Sequence, residues 1–320
     1  MGSLFDDVIG QPFAVSLLEA AIANGAFAPA YIFSGPEGVG RRLAAFRFLE
    51  GVISSRDPQL RTRRRLEQGN HPDLLWVEPA YSHQGRLVPQ SLADREGVSR
   101  KTPPQIRLEQ IRAIKSFLGR RPVEASKGMV VIEAAEAMPE AAANALLKTL
   151  EEPSNGLLIL LCSAPQRLLQ TIRSRCQEII FGRLSRQAIR EVLTKMDNQF
   201  EEKLFAQLDE PELCALAAGS PGMLLKNSMI WEALPKDLIG RLKIRPSNSL
   251  EILSLAKDLT DVLDVQDQLW VLNWWEYHLW QNELHSSPLI RLEKLRKHLL
   301  SFVQPRLAWE VALLEIFSFP

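Results

Sequence analysis

Short apolar runs alternate with amphipathic stretches through the first half of the chain. The runs are Ala30–Phe33, Leu74–Val77, Met129–Ile132, Leu157–Cys162 and Ile179–Phe181. Several are almost continuously apolar, as strands buried on both faces must be. Between them Val15–Ala23, Leu43–Leu49, Leu108–Leu118 and Ala141–Leu150 repeat apolar residues at helical spacing. Strand–helix alternation predicts an α/β domain built on a parallel sheet with right-handed crossovers, ending near Gly182. Residues 54–72 and 80–104 read as loops. From Leu184 to Leu225 the pattern is helical, with a break at Gly219-Ser220-Pro221-Gly222. Beyond Trp231 only helical spacing remains. The expected division is a core at 1–182, a helical lid at 183–225 and an all-helical collar at 226–320.

Composition narrows the partners. The chain has 320 residues, 46% of them hydrophobic, which suffices for several packed cores. Its 38 basic and 38 acidic residues cancel, so any nucleic-acid contact is local or shared with other subunits. Cys162, Cys176 and Cys214 lie far apart and form no CxxC pair, so no zinc or disulfide framework is expected. The start, MGSLFDDVIG, is acidic and has no apolar core of signal-peptide type. No apolar run is long enough for a membrane span. A cytoplasmic location without membrane contact is the expectation.

Ser34-Gly35-Pro36-Glu37-Gly38-Val39-Gly40-Arg41-Arg42 follows a predicted strand and opens a predicted helix. That is the setting of a phosphate-binding loop, in which glycines let backbone N–H groups turn inward at a helix N-terminus. A working loop then needs Lys for the outer phosphates and a Ser or Thr hydroxyl for Mg²⁺. Arg41 and Arg42 stand there instead. Arg41 could still meet a phosphate, although its planar fork is larger than an ammonium. Arg42 cannot ligate a metal. Two readings stay open: a glycine-rich turn that never meets nucleotide, or weak residual binding through Gly35, Gly38, Gly40 and Arg41. The second strand signal ends Val131-Ile132-Glu133-Ala134-Ala135-Glu136. Glu133 could serve a metal, but Ala134 occupies the position where a second acid would polarise water. Glu136 is the alternative acid, two residues too late.

Ala141-Ala142-Ala143-Asn144-Ala145-Leu146-Leu147-Lys148-Thr149-Leu150-Glu151-Glu152-Pro153, with Ser163-Ala164-Pro165, Ser174-Arg175-Cys176 and His71-Pro72-Asp73, resembles the AAA+ clamp-loader subunits of bacterial DNA polymerase III in order and spacing. The resemblance covers about residues 5–225; beyond it the chain is similar in length and character alone. The family holds active ATPases, gamma and tau, and a non-hydrolysing delta-prime branch. Arg41, Arg42, Ala134, and Gly222 at the sensor 2 arginine position resemble the latter. The resemblance implies a subunit that assembles with gamma/tau and delta. Such a subunit supplies Arg175 in trans to a neighbouring ATP and helps load a sliding clamp onto primer–template DNA. Family members often carry a four-cysteine zinc module ahead of the His-Pro-Asp segment, but residues 51–70 here contain no cysteine, so no zinc is expected. The rival readings are a self-sufficient ATPase and a DNA-binding structural protein.

Other residues have plainer expected roles. Ser163 reads as a strand-end cap, His71 as a turn residue and Cys176 as a small apolar packing residue. The arginines at 56, 61, 63, 64 and 65 read either as a solvated loop or as a contact for phosphate or an acidic partner. Lys115, Arg120, Arg121 and Lys127 are candidates to face DNA. The tryptophan-rich C-terminal part reads as bundle core with some assembly surface.

Overall fold

The structure, a computed structural model, describes residues 3–54, 60–93, 95–98, 103–152, 156–195, 210–282, 287–301 and 303–317. Its contacts separate two compact units, Met1–Lys195 and Met196–Pro320.

The first unit holds a five-stranded parallel sheet. Its strands are β1 (Ala30–Ser34), β2 (Leu74–Val77), β5 (Gly128–Ile132), β6 (Gly156–Cys162) and β7 (Gln177–Ile180), in the order β2-β5-β6-β1-β7. All five predicted runs are strands within a residue or two of their expected ends. Every residue of β1, β5 and β6 is buried, which explains their unbroken apolar character. Helices α2 (Arg41–Ser54), α4 (Leu108–Leu118) and α5 (Glu140–Glu151) lie in the crossovers, while α1 (Pro12–Asn24) precedes the first strand and α7 (Arg186–Lys195) follows the last. Ile111, Ile114, Leu146 and Leu150 of α4 and α5 bury against Val130, Ile132, Leu158 and Leu160 of the central strands. Pro139 is the N-cap of α5; Pro153 and Arg56 lie outside the described residues.

Two expected loops are structured. Residues 80–104 contain a hairpin, β3 (Ala80–His83) and β4 (Arg86–Pro89). It turns at Gln84 and Gly85, whose φ angles of 48° and 77° suit a two-residue hairpin loop. Gln is a weak signal at a position that usually carries Asn or Asp, so the turn does not stand out in sequence. Within 54–72, Leu60–Glu67 is a helix, α3. Its side chains meet a buried ionic cluster instead of an apolar stripe, and periodicity of apolar residues misses such a helix. Arg47, 5% exposed, reaches Asp7 at 2.6 Å and Glu67 at 2.9 Å. Glu50, fully buried, takes Arg63 at 2.9 Å and lies 3.7 Å from Arg47.

The His-Pro-Asp segment is a backbone clamp. Asp73 is 3% exposed and accepts three backbone N–H groups, from Val123, Glu124 and Ala125, each at 2.7 Å. Burial alone would push its carboxyl upward; the three donors outweigh that and hold it below the ordinary value. His71 Nδ1 accepts from Asp73 N, a turn role.

The second unit is helical: α8 (Pro211–Ala217), α9 (Pro221–Ala233), α10 (Lys236–Lys243), α11 (Ser249–Val262), α12 (Val265–Asn282), α13 (Ser287–Leu300) and α14 (Pro305–Phe317). Trp270, Trp274, Trp275 and Trp309 are core residues with Leu255, Leu259, Leu295 and Leu313. The buried indole N–H groups of Trp270 and Trp309 find partners, donating to Asn227 at 2.9 Å and to Gln268 at 3.0 Å, whereas that of buried Trp275 has none among the described residues. Trp280 is exposed. No described helix is long and apolar enough to cross a membrane.

Candidate functional site

The loop between β1 and α2 keeps the geometry its glycines allow. Gly35, Gly38 and Gly40 have φ of 146°, 76° and 101°, angles that L side chains adopt rarely. Gly35 has a second constraint, since a Cβ there would lie 2.2 Å from the Phe181 carbonyl oxygen. Gln11, buried, ties the loop to the end of β7. Its amide nitrogen donates to the Val39 and Gly182 carbonyls at 3.2 and 2.8 Å, and its oxygen accepts from Gly182 N at 3.0 Å.

The side chains around this loop neutralise one another. Arg42 Nη1 lies 3.5 Å from Glu133 Oε1 at the end of β5. Trp76 Nε1 donates to the other oxygen of Glu133 at 2.9 Å. The Arg42 guanidinium also stacks 5.0 Å from the Trp76 ring, which lies nearly parallel to Phe46. Sequence reasoning did not anticipate Trp76 here, because it belongs to β2, far from both motifs.

Arg41 sits where the loop would carry Lys. Its Nη1 is buried with no hydrogen-bond partner. Burial pulls its pKa down, and nearby acids, Glu136 foremost, oppose that. Ala134 adopts φ 47°, a left-handed turn that swings Glu136 back toward the strand ends. Glu136 Oε1 accepts from Ser163 N at 3.0 Å and also from Ser163 Oγ. Burial would push the Glu136 carboxyl up, yet the Ser163 bonds hold it below its ordinary value. Ser163 thus anchors a carboxylate instead of capping its own strand, because that left-handed turn brings an acceptor within reach. Cys162 beneath it is pushed up to about 12 by burial, with Glu136 adding to the effect.

A magnesium-bound triphosphate does not fit these residues. The position that would offer a hydroxyl to the metal carries Arg42, and Arg42 already holds the one acid at the end of β5. Among the described residues no cluster of His, Cys, Asp and Glu could hold a metal ion.

Arg175 lies elsewhere in the same unit, beyond the short helix α6 (Gln170–Arg173). A tight turn carries it: Ser174, Arg175 and Cys176 donate their N–H groups to Gln170, Ile172 and Arg173 carbonyls. Arg175 Nη1 donates to the Thr171 carbonyl at 3.0 Å and Nη2 to Glu151 Oε1 at 2.9 Å. The side chain remains 37% exposed. Cys176 packs partly buried against the sheet core, and burial pushes its thiol up to about 12.

The proposed basic patches divide. Arg63 and Arg65 are engaged inside the unit, Arg65 with both oxygens of Glu124 at 2.6 and 2.9 Å. Arg61 and Arg64 are exposed on α3, as are Lys115, Arg120 and Arg121 at and after the end of α4. Lys127 lies over the Phe27 ring at 5.7 Å. Gly222 lies in the first turn of α9 and has no side chain to contribute.

Fold and loop together define a P-loop α/β domain of AAA+ type followed by a helical region. The family model described as DNA polymerase III, delta subunit, matches residues 10–185. The model of the cyanobacterial DNA polymerase III delta prime C-terminal domain matches residues 187–316. The chain belongs to this delta and delta-prime family of DNA polymerase III subunits. It is 34% identical over 194 residues to DNA polymerase III subunit delta' of Bacillus subtilis, covering 58% of this chain and 52% of that protein. To the delta' subunit of Pseudomonas aeruginosa it is 32% identical over 206 residues, covering 61% and 54%. The chain thus spans about half the length of the curated relatives it matches. A solved gamma subunit-related protein of Thermotoga maritima superposes with a TM-score of 0.51 at 17% identity, over 95% of this chain and 98% of that one, a likeness of fold.

Proposed function

We propose that this chain is a non-hydrolysing clamp-loader subunit of DNA polymerase III. It assembles with gamma/tau and delta, presents Arg175 to the ATP of a neighbouring subunit, and helps place a sliding clamp on primer–template DNA. Within this reading residues 1–182 are the core, 183–225 the lid and 226–320 the collar.

One observation carries the proposal. The acid that would organise a metal, Glu133, is held by Arg42, while Ala134 supplies no second carboxylate. Phosphoryl transfer depends almost wholly on positioning and on neutralising developing charge, and both provisions are missing from the loop. A guanidinium at the surface suits action in trans, because it stays charged and offers a planar fork to phosphoryl oxygens. Weak nucleotide contact through Arg41 is compatible with this reading, since Nη1 has no partner.

The test separates the chain from its partners. The purified chain alone turns over no ATP with Mg²⁺. Added to gamma/tau, delta, clamp and primer–template DNA, it raises their ATPase. Mg²⁺-dependent turnover by the isolated chain would make it a self-sufficient ATPase and end the proposal.

A further inference from the structure

Glu151 stands in the last turn of α5, where a negative side chain opposes the helix dipole. It therefore gains from a cation, and the one it meets is Arg175, at 2.9 Å. A second element grips the same guanidinium: the Thr171 carbonyl accepts from Nη1 at 3.0 Å. Both anchors are fixed below, since Leu146 and Leu150 of α5 and Ile172 of α6 share one buried cluster. Of five guanidinium N–H donors these contacts use two, leaving three for an incoming group.

We propose that Glu151 is a positioning residue that pre-orders Arg175 for the neighbouring phosphate; this rests on the trans role of Arg175 proposed above. The pair is of little use for stability, since both partners are substantially exposed, at 37% and 52%. Its value is conformational. An untethered arginine has many rotamers, and ordering it in the transition state costs rate. Holding it between Glu151 and Thr171 moves that ordering into folding.

The experiment uses the reconstituted complex with clamp and primer–template DNA. It compares steady-state ATPase for wild type, Arg175→Ala, Glu151→Ala, Glu151→Gln and Glu152→Gln. Glu152 is the adjacent carboxylate, is not paired with Arg175, and controls for loss of a charge at the same edge. Glu151→Ala should lower kcat roughly three- to tenfold with KM for ATP unchanged. Glu151→Gln should fall less, because its amide oxygen still accepts from Nη2. Glu152→Gln should match wild type. If Arg175→Ala leaves kcat unchanged, the trans reading itself fails. If Arg175→Ala slows turnover while Glu151→Ala matches or exceeds wild type, the positioning role fails, and a rise would mean that the carboxylate competes with phosphate. An equal fall in Glu152→Gln would also overturn it.

Discussion

Replacing Asp73 by Asn changes one atom of a buried clamp, and its cost can be worked from the contacts. Asp73 Oδ1 accepts from Val123 N, and Oδ2 accepts from Glu124 N and Ala125 N. An amide oxygen turned toward Glu124 and Ala125 keeps two bonds without their charge, and its NH₂ then faces the Val123 donor. Hydrogen bonds to a charged group contribute about 1.5–3 kcal/mol each, and neutral ones about 1. Val123 and Glu124 are exposed, so water offsets part of the loss. Asp73→Asn should therefore destabilise the first unit by about 2–3 kcal/mol. The damage should show first in β2 and β5, because Met129 N donates to the Asp73 carbonyl at 2.8 Å where those strands begin. Urea unfolding followed by amide exchange of β2 and β5 resolves this unit from the other, which a single whole-chain midpoint would not. The folded carboxyl lies below its unfolded value of about 4. The clamp's contribution is therefore complete above that value and is lost as pH falls through the folded one. The gap between wild type and Asp73→Asn should close on acidification. A variant within about 0.5 kcal/mol of wild type at pH 7, or a gap that does not narrow below about pH 4, would refute the reasoning.

Two further outcomes follow from buried groups. Arg47→Met leaves fully buried Glu50 with Arg63 as its remaining cation, so a loss of about 3 kcal/mol is expected in the urea midpoint of the first unit. Arg47→Lys should not restore it, because an ammonium cannot span Asp7, Glu67 and Glu50 as the fork does. Cys162 and Cys176, with thiols near pKa 12, should alkylate in the native state at pH 8 on the order of 10³-fold more slowly than a free cysteine of pKa about 8.5. Mass spectrometry of peptides after timed iodoacetamide labelling checks this, and labelling of either residue at the free-thiol rate would contradict it.

What the sequence disclosed depended on which physical signal placed each residue. β1, β5 and β6 were legible because burial on both faces leaves an unbroken apolar run. The glycine-rich turn between β1 and α2 was legible because glycines at φ of 146°, 76° and 101° have no common substitute. The C-terminal tryptophans were legible as core, although Trp280 faces outward. Helix α3 was not, because ion pairs hold it and no apolar period marks it. The hairpin was not, because Gln84 is a poor turn signal. Within the site, the substitutions at 41, 42 and 134 were readable one by one. Their joint effect was not: Trp76 and Arg42 converge on Glu133, and a left-handed Ala134 returns Glu136 to Ser163. Those are long-range juxtapositions that only the folded chain reveals. Arg175 was singled out by its motif, but its partner Glu151 was not, since Glu151 ends α5 and Arg175 lies in the turn after α6.

The central claim is that this chain cuts nothing itself and lends a cation to a neighbour. Single-turnover cleavage of ATP in the reconstituted complex, with wild type or Arg175→Ala, tests it most directly. At the site this subunit abuts, loss of a trans arginine should slow cleavage by roughly 10³–10⁵ while ATP still binds. Cleavage at the wild-type rate at every site would contradict the account.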